Sequence, residues 1–351
     1  MNLLQSSIVL ESIAYIGIPF MLLCGTSPWS AKNGVLEFSS TARYRGVCIF
    51  YVVIHHIVLL MQNPNWLYPL RYTGHYCVCF FFFLSGYGLE SSLQQKEGYL
   101  NHFLSKRIMK IYFPFLCVNA IASFLPWYHQ STAWGNLRQV VGISLLDQSQ
   151  WFIIAILYLY AAFWLAHKVF RVKIALIVIF LLTALWIIVL RHLKTNDSWW
   201  YMSVAFFPLG CYFASKKARW TECLSRYGIR IFSLSLVALF VGAWIEGEHC
   251  FRFFSYFSPI PFVVAFVSFS LVRVVDVNGA GMRGWIGWVG GISLEIYMTH
   301  MKWMPILTSK TSIPYELAVL LYLFCTISSA YLLHLILQAN SWRTLLAKVR
   351  S

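Results

Sequence analysis

Charged side chains are scarce in this sequence: Asp, Glu, Lys and Arg make up 11% of its 351 residues, and only 12 of them are acidic. Hydrophobic residues make up 59%, and the mean hydropathy is +0.66. A soluble domain needs a far more polar surface than this composition can supply. The scarcity of charge therefore excludes a soluble globular protein and predicts a polytopic membrane protein whose apolar segments cover almost the whole chain.

The sequence also lacks the motifs of several common enzyme classes. It contains no GxGxxG, P-loop or HExxH motif, and it shows no internal repeat or low-complexity tract. The nine cysteines are scattered, and although Cys77 and Cys79 lie two apart, no second Cys or His pair completes a zinc site. We therefore expect buried thiols that act as small apolar residues, and no metal site.

The net charge of +15 raises nucleic-acid binding as an alternative, but the positions of the cations argue against it. The lysines and arginines lie between apolar runs, as the positive-inside rule requires of a membrane protein. With the N-terminus outside and alternating spans, 20 of the 27 lie on one side. We therefore predict no nucleic-acid partner, a multi-pass protein of the cell membrane, an outside N-terminus and a cytoplasmic C-terminus.

The apolar runs predict an all-α bundle of about eleven membrane-spanning helices without an inserted soluble domain. Most runs approach the ~20 residues that a spanning helix needs. The first run carries Glu11 and lacks a basic n-region, which favours a retained helix over a cleaved signal peptide. The predicted spans are 6–24, 46–62, 73–91, 111–128, 151–167, 174–190, 199–215, 231–246, 254–272, 286–304 and 315–337.

The second predicted span opens with RGVCIFYVVIHH at 45–56, where two histidines lie deep in an apolar run. Eleven steps return a helix to within about 20° of its start, so Arg45 and His56 share one face, roughly 16 Å apart. His55 points about 80° away from Arg45. A titratable ring inside a membrane is costly and is usually kept because it faces protein, water or a substrate path. His56 is therefore either hydrogen-bonded between packed helices or functional.

The third span contains FFFLSGYGLESSL at 81–93. Its small residues Ser85, Gly86 and Gly88 allow helices to approach closely, and Glu90 lies near its predicted cytoplasmic end. This pattern favours a helix–helix contact at the small residues, with Glu90 at the membrane interface. A functional site is the alternative.

Residues 99–115, YLNHFLSKRIMKIYFPF, combine apolar residues at helical spacing with Lys106, Arg107 and Lys110 on the other side. This pattern predicts an amphipathic helix on the inner leaflet, with Arg107 and Lys110 on one face and a break at Pro114. The basic residues can serve attraction to anionic lipid, or they can bind the phosphates of a cytoplasmic cofactor.

The tenth span contains GGISLEIYMTHMKW at 290–303. Ser293, Tyr297 and His300 fall on one stripe of the helix, and Glu295 lies on the far side. An acid, a phenol and an imidazole in one span are more than packing usually requires, although a structural polar network is the alternative.

Together these segments resemble the acyltransferase-3 family of membrane acyltransferases, because five motifs occur in that family's order. Lys106 and Lys110 stand where the family has arginines. The five resemblances are RGVCIFYVVIHH at 45–56 to Arg-x10-His, FFFLSGYGL at 81–89 to FFxLSGY, KRIMKIYFP at 106–114 to RRxxRIxP, WFIIAILYLY at 151–160 to WFL-x-x-L-L-x-Y, and ISLEIYMTH at 292–300 to SYxIYLxH.

The resemblance implies a ten-helix core that moves an acyl group, commonly acetyl, from cytoplasmic acyl-CoA to a hydroxyl of a cell-envelope glycan or related acceptor. His56 matches the family's catalytic histidine, and Arg45 matches the arginine paired with it. The loop with Lys106, Arg107 and Lys110 matches the one implicated in CoA recognition. Arg45 is expected to contribute to the same phosphate site.

A general base is the expected role of His56, because imidazole exchanges protons near neutral pH; an acyl-histidine intermediate is the alternative chemistry. Glu295 and His300 are further catalytic candidates that would orient His56 or the acceptor. The expected substrate-binding residues are Ser85, Trp151 and Tyr297.

The resemblance to this family also divides the chain into an extra N-terminal helix (1–30), the ten-helix acyltransferase domain (31–340) and a cytoplasmic tail (341–351). Two other function classes stay open. A proton-coupled transporter or flippase would use the intramembrane histidines and acid as a relay, but the paired broken helices of inverted repeats are missing. A scaffold or receptor without chemistry is the third.

Overall fold

The computed structural model describes residues 8–18, 26–28, 38–61, 65–194, 197–247, 259–275, 282–308 and 313–338, called the described residues below. Helices dominate them, which confirms the all-α prediction. The helices are α1 (Ile8–Ser12), α2 (Phe38–Leu59), α3 (Thr73–Gln95), α4 (Phe103–Arg107), α5 (Phe113–Ala122), α6 (Ala133–Val140), α7 (Trp151–Val169), α8 (Val172–Leu193), α9 (Trp199–Met202), α10 (Phe206–Ser215), α11 (Lys217–Gly247), α12 (Pro259–Val272), α13 (Met282–Gly291), α14 (Ser293–Trp303), α15 (Pro305–Thr308) and α16 (Tyr315–Gln338).

Short elements join these helices. Two three-residue strands, β1 (Thr26–Pro28) and β2 (Arg273–Val275), pair antiparallel with Ser27 opposite Val274. The tighter or wider helical turns are the π-helices Ile13–Gly17 and Ile108–Tyr112 and the 3₁₀ helices Asn65–Tyr72 and Gln148–Gln150.

Five of the described helical segments are long and apolar enough to cross a membrane: Thr41–Leu59, Asn65–Gln95, Gln148–Val169, Val172–Leu193 and Tyr315–Gln338. They coincide with the second, third, fifth, sixth and eleventh predicted spans. The apolar window of the first of them is 67% buried, whereas that of Val172–Leu193 is only 17% buried. The former therefore belongs to the interior of the bundle, and the latter presents most of its surface to lipid.

The count of eleven spans stays a prediction, because several predicted spans are broken or only partly described. The predicted span 199–215 consists of α9 and α10, and 286–304 consists of α13 and α14 with a break at Ile292. The span 111–128 is regular only as α5, whose Pro114 occupies the first turn, where a missing N–H costs no hydrogen bond. The tail 341–351 and parts of 6–24 and 254–272 lie outside the described residues.

Close contacts at glycines fix two helix pairs. A Cβ on Gly86 of α3 would lie 2.0 Å from the carbonyl oxygen of Phe207, and one on Gly210 of α10 would lie 2.1 Å from that of Phe83. The two helices run in the same direction, because His75 Nδ1 and Ser203 Oγ lie 3.0 Å apart near their beginnings. Small residues are the usual means of such approach between membrane helices.

The second pair consists of α2 and α13. A Cβ on Gly46 would lie 2.1 Å from the carbonyl oxygen of Ile286, and one on Gly290 would lie 1.6 Å from that of Ala42. By contrast, a Cβ on the neighbouring Gly291 would meet nothing within 4 Å. The α2–α13 contact therefore depends on Gly290 and not on Gly291.

We predict that Gly290→Ala lowers the stability of the protein, because the added methyl group forces the α2 and α13 backbones apart. The expected loss is at least the ~1–3 kcal/mol typical of overpacking. Thermal unfolding of the detergent-solubilised protein measures it. Gly291→Ala is the matched control and is expected to unfold near the wild-type temperature; equal melting temperatures for the two variants would contradict the packing described here.

Candidate functional site

A cavity among the described residues has a volume of about 890 Å³ and opens at one end of the bundle. We call this opening, beside Gln95 of α3, the mouth. Residues of α2, α3, α7, α11 and α14 contribute to the walls, together with the segment between α3 and α5. The lining residues are Thr41, Arg45, Phe81, Leu84, Ser85, Tyr87, Gly88, Leu89, Ser91, Ser92, Gln95, Arg107, Ile111, Phe152, Ile156, Tyr160, Lys217, Ser293, Leu294 and Tyr297.

One stripe of α3 runs along the length of the cavity. Phe81, Ser85, Gly88, Ser92 and Gln95 follow at helical spacing and all line it. From the first to the last of these residues the helix rises roughly 21 Å. The cavity is therefore elongated, with Gln95 at the mouth and Phe81 at its inner end.

Among the described residues, the lining carries three cations, Arg45, Arg107 and Lys217, and no Asp or Glu. Two of them converge on Tyr160. The guanidinium carbon of Arg107 lies 5.4 Å from the Tyr160 ring centroid, and Arg45 interacts electrostatically with the same tyrosine. The middle of the cavity is therefore strongly positive and suited to an anionic ligand.

Aromatic side chains hold Arg107 in place. Its Nη2 donates to the Tyr99 hydroxyl at 2.8 Å, and its guanidinium carbon lies 5.3 Å from the centroid of the Phe103 ring. These contacts leave the planar guanidinium partly exposed to the cavity, where it can donate two parallel hydrogen bonds to a phosphate.

The other two cations of the predicted phosphate loop lie elsewhere. Lys106 and Lys110 are exposed and do not belong to the cavity lining. The chain changes from α4 to a π-helix at Ile108, so Arg107 and Lys110 do not have the α-helical spacing that the sequence suggests. Although the Lys110 side chain as a whole is exposed, partial burial of its ammonium group, followed by repulsion from Arg107, Lys96 and Lys106, lowers its pKa. The repulsion among these cations indicates positive charge near the end of α3, where Lys96 follows Gln95.

At the inner end of the cavity, three rings lead to the predicted catalytic histidine. Tyr297 lines the cavity, and its ring centroid lies 5.6 Å from that of His300. The His300 centroid in turn lies 5.0 Å from that of His56. His56 itself is not part of the lining. The structure thus brings His56, His300 and Tyr297 together and places the two imidazoles just beyond the cavity.

The hydrogen bond of His300 defines which of its ring nitrogens carries the proton. His300 is fully buried, and its Nδ1 lies 2.8 Å from the Tyr297 carbonyl oxygen. Because a carbonyl only accepts, Nδ1 must donate, so a neutral His300 keeps a lone pair on Nε2. That Nε2 is buried without a hydrogen-bond partner among the described residues. It can accept a proton from a neighbouring donor.

The two adjacent histidines face different neighbours, as the helical geometry predicts. A Cβ on Gly74 would lie 2.3 Å from Cδ2 of His55, so the His55 ring packs directly on the beginning of α3. His56 instead contacts His300 on α14. α2 is continuous from Phe38 to Leu59, so Arg45 and His56 lie on one face of an unbroken helix.

Two other predicted site residues lie outside the cavity. The Glu295 carboxylate accepts a hydrogen bond from His334 Nδ1 of α16 at 2.8 Å, although it also interacts electrostatically with Arg45. Trp151 is buried against Phe82, with ring centroids 6.1 Å apart. Ser85, by contrast, lines the cavity as an expected substrate-binding residue would.

A buried ion pair that the sequence did not indicate supports the inner end. Lys302 Nζ donates to Asp147 Oδ2, and the two side chains are only 5% and 6% exposed. Asp147 also accepts from the backbone N–H of Ser149 at 2.9 Å, and the Ser149 carbonyl accepts from the Tyr297 hydroxyl at 2.8 Å. The pair therefore fixes the loop that holds Tyr297 in the cavity wall.

Comparison with known proteins gives one match. A family model described as an acyltransferase domain matches residues 44–337, which is well over half of the chain. The matched range contains every cavity-lining residue except Thr41, together with both imidazoles at the inner end. No curated protein and no solved structure matches significantly.

We predict that Asp147→Asn strongly destabilises the protein, by about 3–5 kcal/mol, because it leaves a buried Lys302 without its counter-charge. The double variant Asp147→Leu with Lys302→Met removes both charges and should recover part of the loss. Thermal unfolding in detergent compares them, with the exposed Lys173→Met as control. A single variant as stable as the control would show that the pair does not support the loop.

Proposed function

Because the chain belongs to the acyltransferase-3 family, we propose that this acyltransferase moves an acyl group, in the simplest case acetyl, from cytoplasmic acyl-CoA to a hydroxyl of a cell-envelope glycan or related acceptor. The observation that carries the proposal is the cavity, which has a positive middle and two imidazoles beyond its inner end. Its shape suits a long donor whose phosphates and reacting group lie far apart.

In this proposal the donor diphosphate binds in the middle of the cavity. Arg45 and Arg107, which converge on Tyr160, would each donate to phosphate oxygens. Ser85 and Ser293 offer hydroxyls along the walls. The pantetheine arm then extends inward along α3 and directs the thioester toward Tyr297.

His56 acts as the general base in the transfer step. It accepts the proton of the acceptor hydroxyl, whose oxygen attacks the thioester carbonyl carbon; the C–S bond then breaks and CoA leaves as a thiolate that takes up a proton. His300, whose ring centroid lies 5.0 Å from that of His56, would turn its free Nε2 lone pair toward the proton on His56 in this step. Tyr297 and Phe152, whose ring centroids lie 4.9 Å apart, form the wall that the thioester must pass to reach this pair.

Two features support a mouth on the cytoplasmic side in this proposal. The positive-inside distribution assigns 20 of the 27 lysines and arginines to that side. The crowded cations of the phosphate loop lie at the same end of the bundle as Gln95. Acyl-CoA is a cytoplasmic metabolite, so its phosphates would enter where these cations are.

We predict that His56→Gln reduces transfer of labelled acetyl from acetyl-CoA to a cell-envelope extract by roughly 10²–10⁴-fold, the usual contribution of a general base. CoA binding should persist, because His56 lies outside the cavity. His55→Gln is the matched control and should retain transfer. If His56→Gln transfers acetyl at the wild-type rate, His56 is not the base.

We also predict that Arg107→Ala weakens binding of CoA by roughly tenfold or more and makes it less sensitive to salt, because a charge-assisted hydrogen bond to phosphate is lost. Titration of the purified protein with CoA at several ionic strengths measures both effects. Lys173→Ala serves as control, because Lys173 is exposed and does not line the cavity. Identical affinities for wild type and Arg107→Ala would reject the cavity as the phosphate site.

A further inference from the structure

Lys217 is the cavity-lining cation that neither the sequence motifs nor the proposed transfer step uses. It is the first residue of α11 and lies two residues after the end of α10. Its neighbour Lys216 is exposed and is not part of the lining. Of these two consecutive lysines, Lys217 reaches the cavity and Lys216 does not.

The fold places Lys217 at the mouth. α10 runs alongside α3 in the same direction, since Cys211 Sγ donates to the Gly86 carbonyl oxygen and the Phe213 ring, two residues farther along α10, lies 6.0 Å from the Tyr87 ring, one residue farther along α3. The end of α10 therefore lies near the end of α3, and the cavity lining contains Lys217 together with Ser91, Ser92 and Gln95. We therefore assign Lys217 to the mouth of the cavity.

The first turn of α11 is held rigidly. The Trp220 ring stacks on Phe213 with 5.3 Å between centroids and an interplanar angle of 12°, and Thr221 Oγ1 donates to the Lys217 carbonyl oxygen at 2.8 Å. Trp220 lies three residues after Lys217, on the same side of the helix. This anchor keeps the lysine directed toward the cavity.

No carboxylate of the described residues forms an ion pair with Lys217, and no acid lines the cavity. A partly buried ammonium without a counter-charge favours an anionic ligand. CoA carries a diphosphate in its middle and a third phosphate on the 3′ position of its ribose. Arg45 and Arg107 are assigned to the diphosphate. Of the lining cations this leaves Lys217, and of the donor phosphates it leaves the 3′-phosphate.

We propose that Lys217 binds the 3′-phosphate of the donor and makes the enzyme selective for CoA thioesters over 3′-dephospho-CoA thioesters. This inference rests on the proposed function, because it takes acyl-CoA as the donor. A lysine suits the role, since the 3′-phosphate is a terminal group that a single flexible point charge can reach without the planar fork of an arginine.

The test measures binding of CoA and of 3′-dephospho-CoA to the detergent-solubilised full chain by isothermal titration calorimetry. Wild type and the control Lys216→Ala should prefer CoA by roughly tenfold to a hundredfold. Lys217→Met keeps the apolar stem and should bind CoA only as tightly as 3′-dephospho-CoA, with its affinity for 3′-dephospho-CoA unchanged. Lys217→Arg should restore part of the preference.

Three outcomes would overturn the proposal. A wild-type protein that binds both compounds equally has no 3′-phosphate site, and a Lys217→Met variant that keeps the preference has that site elsewhere. Equal weakening of both compounds in Lys217→Met would show a general effect on the cavity. A wild-type protein that binds neither compound would instead reject acyl-CoA as the donor, so the two proposals fail in different ways.

Discussion

Direct backbone contact between helices at glycines is the constraint on which the rest of this structure depends. Apolar side chains gain little by leaving lipid for another apolar surface, so membrane helices associate through close packing and hydrogen bonds. Here the α10 backbone covers the Gly86 face of α3, at a distance that any side chain on Gly86 would prevent. The stripe of α3 with Ser85, Gly88 and Ser92 points elsewhere and is left to line the cavity.

The second feature is the distribution of charge inside the bundle, because the buried acids lie outside the cavity lining. Three carboxylates find partners away from its lining: Glu90 lies 3.0 Å from His167 Nε2, Asp147 pairs with Lys302, and Glu295 pairs with His334. A buried charge is costly unless it is paired. None of these three acids belongs to the cavity lining, although Glu295 also interacts electrostatically with Arg45.

The family could be predicted from the sequence because its motifs depend on local spacing. Five short motifs in order indicated the acyltransferase-3 family, which the family match confirms. The separation of eleven residues predicted that Arg45 and His56 lie on one face of a helix. The prediction holds because α2 is a continuous α-helix over both residues. The same reasoning failed to describe the phosphate loop, where the π-helix at Ile108–Tyr112 changes the spacing between Arg107 and Lys110. Helical spacing also did not indicate which of the small residues Ser85, Gly86 and Gly88 contacts the neighbouring helix. In the structure, Gly86 does.

The sequence by itself determined the all-helical membrane class and the residues that can do chemistry, since hydropathy and helical periodicity are properties of single segments. Only the tertiary structure decided which of those residues meet. The pairing of His56 with His300, the separation of Glu295 from that pair, and the entry of Lys217 into the cavity all join segments far apart in the chain. The depth at which two helices cross is set by where backbones can touch, and periodicity within one helix carries no information about the register of another.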